Sequence, residues 1–113
     1  CGYDAQERRG KLYSYDVVGG RYEEQDYATT GSGGHEARAF LKAEWREDLG
    51  EADALRVALE ALIAAAEEDA ATGGPDPRRE IYPNVITVTA QGFREVPDDE
   101  LAPIALAALE GRP

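Results

Sequence analysis

The sequence predicts an α+β fold in which antiparallel hairpins are covered by helices, in the order β-β-α-α-β-β-α. Three observations carry this expectation. Tyr- and Val-rich stretches of strand type fall into two groups, and apolar residues recur at helical spacing in three other stretches. Glycine pairs and prolines mark the boundaries between them. The elements come in runs of one kind, which argues against a doubly wound parallel sheet.

The first strand is expected over residues 11–18, KLYSYDVV, rich in tyrosine and valine. Gly19-Gly20 readily takes the positive φ of a tight hairpin turn. Residues 21–30, RYEEQDYATT, then form the returning strand. Tyr22 and Tyr27 differ in parity, so the alternation breaks there as it does at a bulge. Gly31-Ser32-Gly33-Gly34 reads as a loop. Ala37, Phe40, Leu41 and Trp45 trace the apolar face of a first helix, ended by Leu49-Gly50. The second helix carries Leu55, Leu59, Leu62, Ile63 and Ala66 on one face. Glu51 and Asp53 complement the dipole at its start, and Gly73-Gly74-Pro75 stops it. After a loop over 76–84, residues 85–89, VITVT, are the strongest strand signal in the chain. Gln91-Gly92 turns, and residues 93–96 pair back. Asp98 is the expected N-cap of a last helix. Leu101, Ile104, Ala105, Ala108 and Leu109 are its stripe, and Gly111 is its end. The two adjacent amphipathic helices are expected to form a layer over a sheet.

Composition narrows the function. The chain has 113 residues, enough for one domain over 1–113. A chain of this size buries roughly two-thirds of its unfolded surface, so a core is available to it. Twelve Lys and Arg against 23 Asp and Glu give a net charge of -11. Such a surface repels phosphate backbones and anionic lipid, so neither nucleic acid nor membrane is an expected partner. No apolar run approaches the length of a membrane span. Cys1 is the single cysteine, so no disulfide forms within the chain, in keeping with a reducing cytoplasm. There is no His/Cys cluster for a zinc site, and neither metal nor cofactor is expected. The sequence contains no methionine, so it reads as part of a longer polypeptide.

Several residue groups invite a catalytic reading. Ser32, His35 and a distant carboxylate have the residue types of a hydrolase triad. However, one helical turn between serine and histidine is a common accidental spacing, and His35 reads better as an exposed helix residue. The glycine loop over 31–34 lacks the lysine and hydroxyl residue of a phosphate-binding loop. Cys1 reads as a boundary residue and not as a nucleophile. Phe40 and Trp45 read as core. Taken alone, Ser32 is a loop serine capping a helix. Asp69 near a helix C-terminus opposes the dipole, which points to a second purpose for that carboxylate.

In order, the strand pair around LYSYDVVGG, the ATTGSGG lead into a helix, ALRVALEALIAAAEEDAATGGPD, REIYPNVITVTAQGF and DDELAPIAL resemble the C-terminal half of bacterial proteasome β-subunits of the actinobacterial type. CGYD matches an internal strand of that family. The resemblance implies half of an N-terminal-nucleophile hydrolase fold, an αββα sandwich of two antiparallel sheets between helical layers. It implies a threonine-type endopeptidase that degrades proteins within a self-compartmentalised chamber. The nucleophilic threonine, with the lysine and aspartate that tune it, would lie in an N-terminal half outside these residues. Ser32, Asp69 and Thr72 match supporting catalytic positions, in which a serine hydroxyl lies near the threonine's amine and an Asp-x-x-Ser/Thr pair holds that serine. Asp16 matches a strand-end position that reaches a neighbouring subunit's substrate pocket. Gly34 stands where a serine is common. The implied partners are other β-subunits, α-subunits, an ATPase regulator and unfolded protein substrates, in the cytoplasm. The alternative is a non-catalytic, proteasome-like interaction or assembly domain. By themselves these residues are expected to be inactive. They would self-associate or repack, because the family's two halves share both sheets.

Overall fold

The computed structural model describes residues 1–110. The elements are β1 (Gly2–Asp4), β2 (Arg9–Tyr15), β3 (Arg21–Glu24), α1 (Gly34–Glu44), α2 (Glu51–Glu68), β4 (Ile86–Thr89), β5 (Gly92–Glu95) and α3 (Asp98–Glu110). The expected α+β class and antiparallel pairing are present. β1, β2 and β3 make one sheet in that order, and β4 and β5 make a second.

The extra strand, β1, pairs with β2 through Gly2↔Lys11, Tyr3↔Gly10 and Asp4↔Arg9. Three residues are too few to show alternation in the sequence. The hairpin is held by polar contacts instead. Asp4 Oδ1 accepts the N–H groups of Gln6 and Glu7 in the turn. Lys11 Nζ sits 3.2 Å from Asp4 and 2.8 Å from Glu7. In the returning strand, pairing with β2 ends at Leu12↔Glu24, so the expected stretch over 21–30 is only four residues long.

The core lies between helices. α2 packs on α1 along one side and on α3 along another. Leu55 and Leu59 meet Val96, Leu101 and Ala105 in one cluster, with Tyr82, Val85 and Ile104 packed against it. Ala61 and Ala65 meet Ala37 in a second, beside Phe40 and Leu41. A helix sandwiched between two others must bury more than one stripe. Accordingly α2 buries Val57, Ala61 and Ala65 as well as Leu55, Leu59 and Ile63.

The expected helical layer over a sheet is looser than the pattern implied. Among the described residues, none within a strand is fully buried. α2 faces β4 across an open cleft of about 410 Å³ lined by Ala54, Leu55, Ala58, Val85 and Ile86. The second hairpin reaches the core through its flanking residues Val85 and Val96, joined by a 2.8 Å backbone hydrogen bond. Arg94 ties β5 to Glu51 at the start of α2 and to Glu100 in α3, each at 2.8 Å. These groups are half-exposed, so solvent screens the pairs and they orient the hairpin more than they stabilise it.

Helix ends differ from the expected ones. α1 stops at Glu44, because Trp45 is already extended. Trp45 is half-buried against Tyr27, with ring centroids 6.3 Å apart, outside the main clusters. α2 stops at Glu68, before the glycines, because Asp69 turns out of the helix at φ -124°, ψ 113°. Asp98 is the first helical residue of α3 and not its cap. Gly111, the expected end of that helix, lies outside the described residues.

Candidate functional site

Four sequence-predicted site residues divide into a group of three and one apart. Ser32, Asp69 and Thr72 come together although 37 residues separate the first two. Ser32 stands in the turn before α1, where Gly31 takes φ +91° and the Gly34 N–H donates to the Gly31 carbonyl at 3.1 Å. A positive φ of that kind is open to glycine and strained for a side-chain-bearing residue. Asp69 and Thr72 stand in the exit from α2, where the Thr72 N–H donates to the Asp69 carbonyl at 3.1 Å. The α1–α2 contact through Ala37, Ala61 and Ala65 brings the two ends together. Only small residues at that contact let the backbones come so close.

Asp69 Oδ2 accepts two hydroxyls, from Ser32 at 2.5 Å and from Thr72 at 2.7 Å. Its Oδ1 accepts the Ala71 N–H at 3.2 Å. The Ser32 hydroxyl, then the Thr72 hydroxyl, then the Ala71 N–H hold the carboxyl below its ordinary value. Hydrogen bonds to the charged form always act in that direction. The opposition to the α2 dipole is answered by these three donors.

The arrangement has a chemical consequence. A hydroxyl has one hydrogen and two lone pairs. With its hydrogen given to Asp69, Ser32 Oγ has only lone pairs left for other partners. Ser32 is exposed, so this oxygen is an open acceptor for an amine or a water. His35 is exposed on α1. The Ser32 hydrogen goes to Asp69 and not to that ring, which removes the basis of a serine–histidine pair.

Asp16 lies elsewhere, in the loop joining β2 and β3. The expected two-residue Gly19-Gly20 turn is in fact a five-residue loop, because Tyr15↔Arg21 is the last pair of the ladder. Asp16 organises it. Its Oδ1 accepts the N–H groups of Val18 and Gly20 at 3.1 and 2.7 Å, and its Oδ2 accepts the Tyr22 hydroxyl at 2.9 Å. The Gly20 N–H first, then the Tyr22 hydroxyl, lower the Asp16 pKa. The carboxylate lines a cleft of about 520 Å³ together with Tyr13, Tyr15, Tyr22, Thr29 and Thr30.

Two further residues shape the Ser32 turn and were not singled out in the sequence. Thr29 Oγ1 donates to the Gly34 carbonyl at 2.9 Å, closing the loop. Gly33 is buried against Thr72 and Ala65. The GSGG run signals a tight turn, but nothing in it tells which glycine is needed for contact.

Among known proteins, residues 1–76 match the proteasome subunit family. The chain is 50% identical over 112 residues to the proteasome subunit beta of Streptomyces griseus, covering 99% of this chain and 40% of that protein. It is 50% identical over 106 residues to the proteasome subunit beta of Acidimicrobium ferrooxidans, covering 94% and 39%. It is 44% identical over 112 residues to that of Frankia casuarinae, covering 99% and 41%. The chain thus spans about two-fifths of the length of these relatives. With a family match over more than half its residues, this chain belongs to the proteasome subunit family.

Proposed function

We propose that these residues are the C-terminal part of a proteasome core β-subunit, which as an intact subunit is a threonine-type endopeptidase. The observation that carries this reading is Asp69 Oδ2 accepting both the Ser32 and the Thr72 hydroxyls, in a chain of this family. A threonine outside these 113 residues is the nucleophile. Its hydroxyl oxygen attacks the peptide carbonyl while its own amine takes up the hydroxyl proton; the amine then passes that proton to the leaving nitrogen as the C–N bond breaks, giving an ester and a free amine. Water then hydrolyses the ester and restores the hydroxyl. Such an amine must be neutral and held in place to act as a base. Ser32 Oγ, with its lone pairs directed outward by Asp69, is the acceptor that holds it. Thr72 fixes Asp69, and Asp16 contributes to a neighbouring subunit's substrate pocket.

The intact subunit is proposed to take the αββα sandwich. Support comes from the open cleft between α2 and β4 and from the exposed apolar residues Tyr15, Ile86 and Phe93 on the strands. These surfaces would be covered by the rest of the sandwich. The proposed setting is a cytoplasmic particle of β- and α-subunits in which an ATPase regulator feeds unfolded proteins to the chamber.

The test is made in the assembled particle with a panel of fluorogenic peptides. Ser32→Ala and Asp69→Asn each remove a hydrogen bond involving a charged group. They should lower kcat by about tenfold to a hundredfold. Wild-type turnover by both variants would refute the assignment.

A further inference from the structure

We propose that Gly33 is a positioning residue for the Ser32 hydroxyl, acting through Thr72 and Asp69. The inference rests on the reading that Ser32 supports catalysis. The three glycines of the turn differ in what a side chain would meet. Gly31 has φ +91° and open space where a Cβ would stand, so its requirement is conformational. Gly34 would meet nothing closer than Thr29 Oγ1 at 3.6 Å, an ordinary contact. Gly33 has φ -89° and ψ 8°, a conformation that residues with side chains also adopt. Its backbone therefore does not demand glycine.

What demands glycine at 33 is the space beside it. A Cβ there would stand 2.5 Å from Thr72 Oγ1, 3.1 Å from Ala65 Cβ and 3.4 Å from Thr72 Cβ. The Thr72 hydroxyl occupies the volume that a methyl at 33 would need. That hydroxyl donates to Asp69 Oδ2, the same oxygen that takes the Ser32 hydrogen. A methyl at 33 must drive Thr72 Oγ1 away from the carboxylate. Asp69 then loses one of its two hydroxyl donors and its fixed orientation, and Ser32 Oγ is no longer aimed by it. Ser32 and Gly33 are adjacent in the chain, so one residue presents the hydroxyl while the next leaves room for its support.

The experiment measures kcat and KM of the assembled particle for Gly33→Ala, Thr72→Ala, the double variant G33A/T72A, and Ser32→Ala. Gly33→Ala should lower kcat about tenfold with KM unchanged, the loss expected for one disturbed hydrogen bond to a charged group. In the Thr72→Ala background the colliding hydroxyl is gone and only the 3.1 Å approach to Ala65 Cβ remains, so adding Gly33→Ala should cost far less activity than it does alone. A merely structural role of Gly33 predicts the opposite, two losses that multiply. Multiplying losses, or a Gly33→Ala particle with wild-type kcat, would overturn the inference. If Gly33→Ala does not assemble, restoration of assembly by Thr72→Ala supports it, and failure to restore overturns it by assigning the contact to Ala65. A loss on Ser32→Ala without a loss on Gly33→Ala removes this inference alone. Unchanged turnover by Ser32→Ala removes the underlying reading and this inference with it.

Discussion

Replacing Leu101 with alanine measures how much of the fold depends on the seam between α2 and α3. Leu101 is 0% exposed and sits in the first turns of α3 against Leu55, Leu59 and Val96. The change removes three carbon groups from a fully buried position. Transfer alone accounts for about 0.8 kcal/mol per group, or roughly 2.4 kcal/mol. The cavity left behind adds to this, because close-packed neighbours relax only in part, so the full cost falls at about 3–5 kcal/mol. Leu106→Ala is the control. It makes the same chemical change in the same helix at a residue 47% exposed, so helix propensity cancels between the two variants. Its cost should stay below about 1 kcal/mol. Urea unfolding followed by far-ultraviolet circular dichroism, at one protein concentration for all variants, reads both numbers. A cost for Leu101→Ala below about 1 kcal/mol, or equal to that of Leu106→Ala, would refute the placement of the core in this seam.

Two further outcomes follow from the same structure. The folded-state pKa of Asp69 is lowered, so the stability it contributes is present above the ordinary carboxyl value of 3.8 and is lost as pH falls through the lower folded value. Its carboxyl titration by nuclear magnetic resonance should have its midpoint below 3.8, and Ser32→Ala should raise that midpoint by removing the leading donor. A titration unmoved by Ser32→Ala would contradict the hydrogen-bond assignment. The 113 residues alone should associate through the exposed apolar strand faces and show no peptidase activity, and a clean monomer by light scattering, or turnover of a fluorogenic peptide, would count against this.

Elements with a strong local period were legible in the sequence, and those built from partners were not. α2 and the strand within residues 85–89 stand out because apolar spacing alone marks them. Periodicity does not mark β1, because three residues show no period and its hairpin is fastened by Asp4, Glu7 and Lys11; only the resemblance of CGYD to a strand points to it. The glycines over 73–74 point to a later end for α2 than the observed one, because glycine is the usual stop. Here the helix ends where Asp69 leaves it to collect three donors, two of them local and one from Ser32 in the turn before α1. Gly19-Gly20 signals a two-residue turn, since a glycine pair closes a hairpin alone. Asp16 instead gathers Val18, Gly20 and Tyr22 around a wider loop.

By itself the sequence determined the α+β class, the order of the longer elements, the acidic surface and the resemblance that singled out Ser32, Asp69 and Thr72. These follow from composition, period and ordered motifs, which are properties of the chain read in one dimension. The tertiary structure decided that α2 is the central helix and that the strands are poorly covered. It also decided that one carboxylate oxygen receives both hydroxyls and that Gly33 is a glycine for want of space. Each of those depends on distances between residues far apart in the chain. Such distances are set by how closely the small residues of α1 and α2 let the two helices approach, and no local period encodes them.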